Sequence, residues 1–219
     1  MRLPILAAAL LCAALALPTA ATATPAGWDA TELVIPDGAT DFISVGPVGE
    51  TSADGAIWVA WCETPSGDPT RLVARRISPD GEVGAVRVLS TTVPGGFNCT
   101  LALSRVGADA MRIAYLDASG DRLDLRRLTP SATGAATVVY DRAVDDGDGA
   151  DNNGPVGTSP LQLLAGPGDT AWVFYRRVNS YSLPVLEARL VASDDILGPV
   201  ATVSPYAYEA AAAVNPVDG

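Results

Sequence analysis

The sequence contains no histidine and no lysine, and all 14 of its basic residues are arginine. Without histidine there is no Ser-His-Asp triad, no imidazole general base and no imidazole metal ligand. Positive charge is scarce as well: 25 acidic residues against 14 basic ones leave a net charge of −11 and a pI of about 4.3. Affinity for phosphates comes from dense Lys and Arg, so this balance argues against nucleic acid as a partner. Cysteine occurs three times in 219 residues, and aromatic residues make up only 6%. Long apolar runs are missing too. Leu6 to Leu17 has twelve residues, well short of the ~20 needed to span a bilayer as a helix. No later run is longer or more apolar, so no membrane span is expected.

What is present points to a packed domain. Apolar residues make up 48% of the chain, which is too many for a disordered one. The length suffices for one domain with a core. Gly and Pro number 21 and 17. That is about one residue in six, a composition favouring many short strands over long helices. The all-arginine basic set and abundant alanine suggest a GC-rich bacterial genome.

Residues 1–23 read as a secretory signal, with Arg2 as the charged start, Leu6 to Leu17 as the apolar stretch and Ala21-Thr22-Ala23 as the cleavage site. The expected location is secreted or periplasmic, where an acidic surface serves solubility. Cys12 follows Leu11, where a lipoprotein site wants a small residue, so it is expected to leave with the signal. Losing Arg2 takes the charge from −11 to −12. Cys62 and Cys99 remain. An even pair in an exported protein is most simply a disulfide. A metal site needs more ligands, and a catalytic thiol needs a base that is absent.

One stretch organises the chain. Ile57-Trp58-Val59-Ala60-Trp61 returns as Met111-Arg112-Ile113-Ala114-Tyr115 and as Ala171-Trp172-Val173-Phe174-Tyr175. Tyr115 lies 54 residues after Trp61, and Tyr175 lies 60 after Tyr115. Each copy follows a short apolar strand and a Gly/Asp turn. Each precedes a third strand with arginine, in which Arg76, Arg127 and Arg189 are matched, and then a fourth strand. The first unit starts with a strand over Phe42 to Val48. Its Trp58 strand is apolar on both faces, which requires packing between stacked sheets. A period in the fifties with four strands per unit is the signature of propeller blades.

The fold class expected is therefore all-β, a β-propeller of four-stranded antiparallel blades. Residues 24–41 form an N-terminal segment holding a candidate ring-closing strand, Glu32 to Ile35. Residues 42–219 form a partial propeller, with blades at about 42–90, 99–141 and 160–204 and a fourth starting at 209–219. Three blades and one strand do not close a ring. The sequence is expected to be a piece of a longer chain, or else to assemble with a second copy. Trp58-Val59-Ala60-Trp61 and Arg75-Arg76-Ile77-Ser78-Pro79-Asp80-Gly81 resemble the repeats of secreted bacterial β-propellers of the loose sialidase-like, Asp-box type. The Asp-box itself (Ser-x-Asp-x-Gly-x-Thr-Trp) does not occur, and the arginine triad and tyrosine nucleophile of sialidases do not map here. The resemblance therefore implies a fold and no sialidase activity.

The connections from second to third strand and from fourth to first strand share one rim of such a blade. Cys62 and Cys99 fall there on neighbouring units. So does Asp145 to Gly154, where Asp146, Asp148 and Asp151 on a glycine-rich loop offer the oxygen ligands calcium needs. The run is similar in part to thrombospondin type-3 calcium loops and departs from the EF-hand. A solvated acidic loop is the alternative. Tyr181 is a candidate for stacking on a sugar or peptide. Glu63, Asp117 and Glu187 are the acids to weigh for a glycosidase, against the reading that acids at strand ends are merely solvated. Asn98-Cys99-Thr100 matches an N-glycosylation site by chance. The function expected is a noncatalytic scaffold binding a protein or glycan partner on its loop rim. The alternatives are an extracellular glycoside hydrolase and a structural fragment of a larger propeller.

Overall fold

The computed structural model describes residues 42–43, 47–64, 69–91, 93, 99–117, 122–141, 161–178, 183–206 and 213. Among them the chain is all-β, with a single 3₁₀ turn at Pro167–Asp169 and no α-helix. The first sheet holds β1 (Phe42–Ile43), β2 (Val48–Thr51), β3 (Ile57–Thr64), β4 (Arg71–Ile77) and β5 (Arg87–Ser90). The second holds β6 (Leu101–Val106), β7 (Ala110–Leu116), β8 (Arg122–Leu128) and β9 (Thr137–Asp141). The third holds β10 (Gln162–Ala165), β11 (Ala171–Val178), β12 (Pro184–Val191) and β13 (Ala201–Ser204). All pairings are antiparallel, and the second and third sheets follow chain order. No closed ring is formed among the described residues.

The first strand differs from expectation. It lies in two pieces along one edge of β3, Phe42–Ile43 opposite Thr64 and Glu63, and Val48–Thr51 opposite Ala60 to Ile57. Pro47 has no N–H to give to a ladder, and the second described piece begins at Val48.

Turn chemistry sets the strand ends. Between β2 and β3, Asp54 Oδ1 accepts from Ser52 Oγ at 2.6 Å and from the Ala56 N–H at 3.1 Å. Gly55 there takes a positive φ of 85°, which glycine adopts freely. Between β4 and β5, the Ser78 hydroxyl accepts from the Glu82 N–H at 2.9 Å. Thr129 does the same work in the second sheet, accepting from the Ala132 N–H at 3.0 Å.

Internal symmetry extends to irregularities. The fourth strand slips register at Leu72/Val73, Leu123/Asp124 and Leu186/Glu187. These are the same position in each sheet. Arg75 Nε, Arg126 Nη1 and Arg189 Nε donate to the carbonyls of Gly84, Gly134 and Gly198. Arg75, Arg126 and Arg189 also face Val59, Ile113 and Val173 across the ladder. Arg189 therefore occupies the Arg75 place. The match of Arg189 to Arg76 is corrected by this register.

Two cores join the sheets. Trp58, Ala60, Cys62, Leu72 and Ala74 of the first sheet cluster with Met111, Ile113, Tyr115 and Leu128 of the second. Ala114, Leu116, Leu123 and Leu125 of the second cluster with Val173, Tyr175 and Val191 of the third. The second sheet is thus buried on both faces, as the apolar run of β7 requires. Arginines tie the sheets at their backbone. Arg87 Nη1 donates to Ala132 O at 3.3 Å, and Arg189 Nη1 to Val139 O at 2.5 Å.

Candidate functional site

One pattern recurs at the end of the sheets that leads into the second-to-third strand connections. Each sheet carries an aromatic ring, a buried carboxylate and an arginine on one face: Trp61, Glu63 and Arg71; Tyr115, Asp124 and Arg122; Tyr175, Glu187 and Arg177. The strand period of two explains the grouping. Tyr115 faces Asp124 and Tyr175 faces Glu187 across the ladder, while Glu63 faces Arg71.

Two of the three carboxylates are locked. Glu63 is 1% exposed; it accepts from Arg71 Nε at 2.7 Å and from the Trp61 indole at 3.0 Å. Glu187 is 4% exposed and accepts from Arg177 Nε at 2.7 Å. They are buried ion pairs, so the expectation of solvated strand-end acids is corrected for both. A carboxylate is tolerated there because the guanidinium comes with it.

Asp124 is different. It is 2% exposed, and only its Oδ2 is engaged, by Arg122 Nη2 at 3.0 Å. Oδ1 is buried and has no hydrogen-bond partner among the described residues. Burial pushes its carboxyl above the ordinary range, and the Arg122 bond offsets only part of that. The same bond holds the Arg122 guanidinium further toward its charged form. Burial also raises the Tyr115 phenol, whose oxygen accepts from Arg126 Nε at 2.8 Å.

A cleft of about 280 Å³ opens beside this group. Tyr115, Asp117, Arg122, Asp124 and Arg126 form its wall on the second sheet. Val88, Leu89, Ser90 and Thr91 form the wall on the first. Asp117 is half-buried and accepts from the Arg122 N–H at 3.2 Å.

Cys62 and Cys99 are joined in a disulfide, with Cα atoms 6.3 Å apart. It links the end of β3 to the approach to β6. Of the acids weighed for catalysis, only Asp117 lines the cleft. Asp146, Asp148, Asp151 and Tyr181 lie outside the described residues, as do residues 1–41 and the start of a fourth unit apart from residue 213. Among the described residues no three acidic or cysteine side chains gather as a metal site. No described helix is long and apolar enough to cross a membrane. Asp124, Arg122 and Arg126 are the site residues the sequence reading passed over. The signal for Asp124 was present: a lone acid between Leu123 and Leu125, in a strand placed between two other sheets. No protein-family model and no curated protein sequence matches the chain.

Proposed function

We propose that the chain is a secreted, noncatalytic β-propeller scaffold that recognises a protein or glycan partner through its loop rim. The observation that carries the reading is the state of the carboxylates at that end of the sheets. Glu63 and Glu187 are buried and held by Arg71 and Arg177. A glycosidase needs two carboxyl groups that reach the scissile bond from either side, about 5–10 Å apart. Glu63 and Glu187, each held by an arginine, are not free to do this. The four-stranded repeat and the double-faced burial of β7 support a propeller, loosely of the sialidase-like, Asp-box kind. The apolar leader and the disulfide support export.

The test is a glycan array read in parallel with a hydrolysis assay on chromogenic aryl glycosides, using the exported full chain. Saturable binding without release of the aryl group is the expected result. Turnover that is lost in Asp117→Asn would favour the hydrolase.

A further inference from the structure

The cleft between the first two sheets traces to one residue. Ser90 pairs with Leu72 in the first sheet, and Tyr140 pairs with Leu123 in the second. They are the same position in the repeat. The Tyr140 ring is buried and lies 5.8 Å from the Tyr175 ring, so it occupies the space over the third sheet's aromatic. Ser90 has no ring to place over Tyr115, and among the described residues a cleft lies there.

The lining chemistry narrows what could enter. Two carboxylates, Asp117 and Asp124, stand against two guanidiniums, Arg122 and Arg126, and their formal charges cancel. Balanced charge gives the cleft no net field of one sign to draw in an ion. Asp124 Oδ1 lacks a donor among the described residues. The Tyr115 oxygen already accepts from Arg126, which leaves its own O–H to donate. The cleft therefore offers both a donor and an acceptor. Hydroxyl groups answer both, since each donates one bond and accepts others.

We propose that the Ser90 cleft binds a single neutral saccharide unit, with hydroxyls on Asp124 and Arg126. This rests on the rim-recognition reading and specifies a ligand for it.

The test is saturation-transfer NMR on the full chain with neutral methyl glycosides of glucose, galactose, mannose and N-acetylglucosamine. Inorganic phosphate serves as the charged comparison. Wild type is expected to bind at least one glycoside and to bind it better than phosphate. Ser90→Tyr copies the Tyr140 arrangement and is expected to abolish the signal. Asp124→Ala is expected to weaken binding about tenfold or more, because a site built for a hydroxyl loses a charged acceptor. Tyr115→Phe keeps the ring and is expected to weaken binding several-fold; with Asp124→Ala it decides the matter if Ser90→Tyr does not fold. Glycoside binding that persists in the folded variants overturns the cleft assignment and leaves rim recognition standing. Preference for phosphate, or no glycoside bound by wild type, also overturns the proposal. Rim recognition is judged separately by the array, and fails only if no glycan or protein binds.

Discussion

The guanidinium of Arg112, fully buried in the second sheet, donates from Nε to Asp195 Oδ1 of the third sheet at 2.7 Å. The same side chain donates to Asp169 O and Ala192 O, each at 2.6 Å. Asp169 and Asp195 both hold positive φ, 63° and 67°, which costs a non-glycine residue about 1 kcal/mol or more. Their left-handed turns bring two carbonyls and a carboxylate to one cation. This clasp lies on the rim opposite the cleft and fixes how the second and third sheets meet.

Asp195→Gly isolates the carboxylate, because glycine accepts the φ without strain. It leaves a buried charge without its counter-ion, and the expected loss is about 3 kcal/mol. Arg112→Met removes the charge itself, leaves Asp195 partly in water, and is expected to cost less. Urea unfolding of the two variants checks the order. Equal stability for Asp195→Gly and wild type would show that the carbonyls alone suffice.

The hairpin glycines carry their own control. A Cβ on Gly84 would stand 3.0 Å from Arg76 O, and one on Gly134 3.1 Å from Arg127 O. At Gly198 the nearest atoms lie at 3.5 Å, an ordinary contact. Gly84→Ala and Gly134→Ala are each expected to cost about 1–2 kcal/mol. Gly198→Ala is expected to be neutral or slightly stabilising through the unfolded chain. Thermal denaturation of the three variants reads the contrast directly.

The disulfide closes a loop of 37 residues between two sheets. Removing it as the double variant Cys62→Ser, Cys99→Ser is expected to cost about 3–4 kcal/mol by the chain-entropy estimate. A denaturant midpoint that stays put would mean that the sheet interface already holds these ends together.

Asp124 makes a pH-dependent prediction. Burial raises its carboxyl above the ordinary 3.8. The folded state therefore favours the protonated acid, and this contribution falls as pH rises through the raised value. Asp124→Asn removes the ionisation. Its stability relative to wild type is expected to increase from acid toward neutral pH and then level off. Arg122 keeps water as a partner, its side chain being 42% exposed. A difference that shrinks as pH rises would mean that the Arg122 pair outweighs burial.

Much of this architecture is legible in the sequence. β4, β8 and β13 fall where alternation and turn residues put them, because each is bounded nearby by Pro, Gly or Asp. The arginine register is harder to read. Arg75-Arg76 and Arg126-Arg127 are doublets and Arg189 stands alone, so sequence cannot say which member it matches. The hydrogen bond to the hairpin glycine decides. The site is harder still. Its opening depends on Ser90 standing where Tyr140 stands one unit later, which has no meaning until β5 and β9 are in register against their neighbours. Buried acids such as Glu63 and Glu187 look like surface acids in sequence, because their arginines come from the adjacent strand.

The most direct test of a noncatalytic binding cleft is a time-resolved NMR titration of an array-selected neutral glycan against wild type and Ser90→Tyr. The account predicts line broadening of the glycan signals with wild type, none with Ser90→Tyr, and an intact glycan at the end of both runs. Consumption of the glycan, or equal broadening by the two proteins, would contradict it.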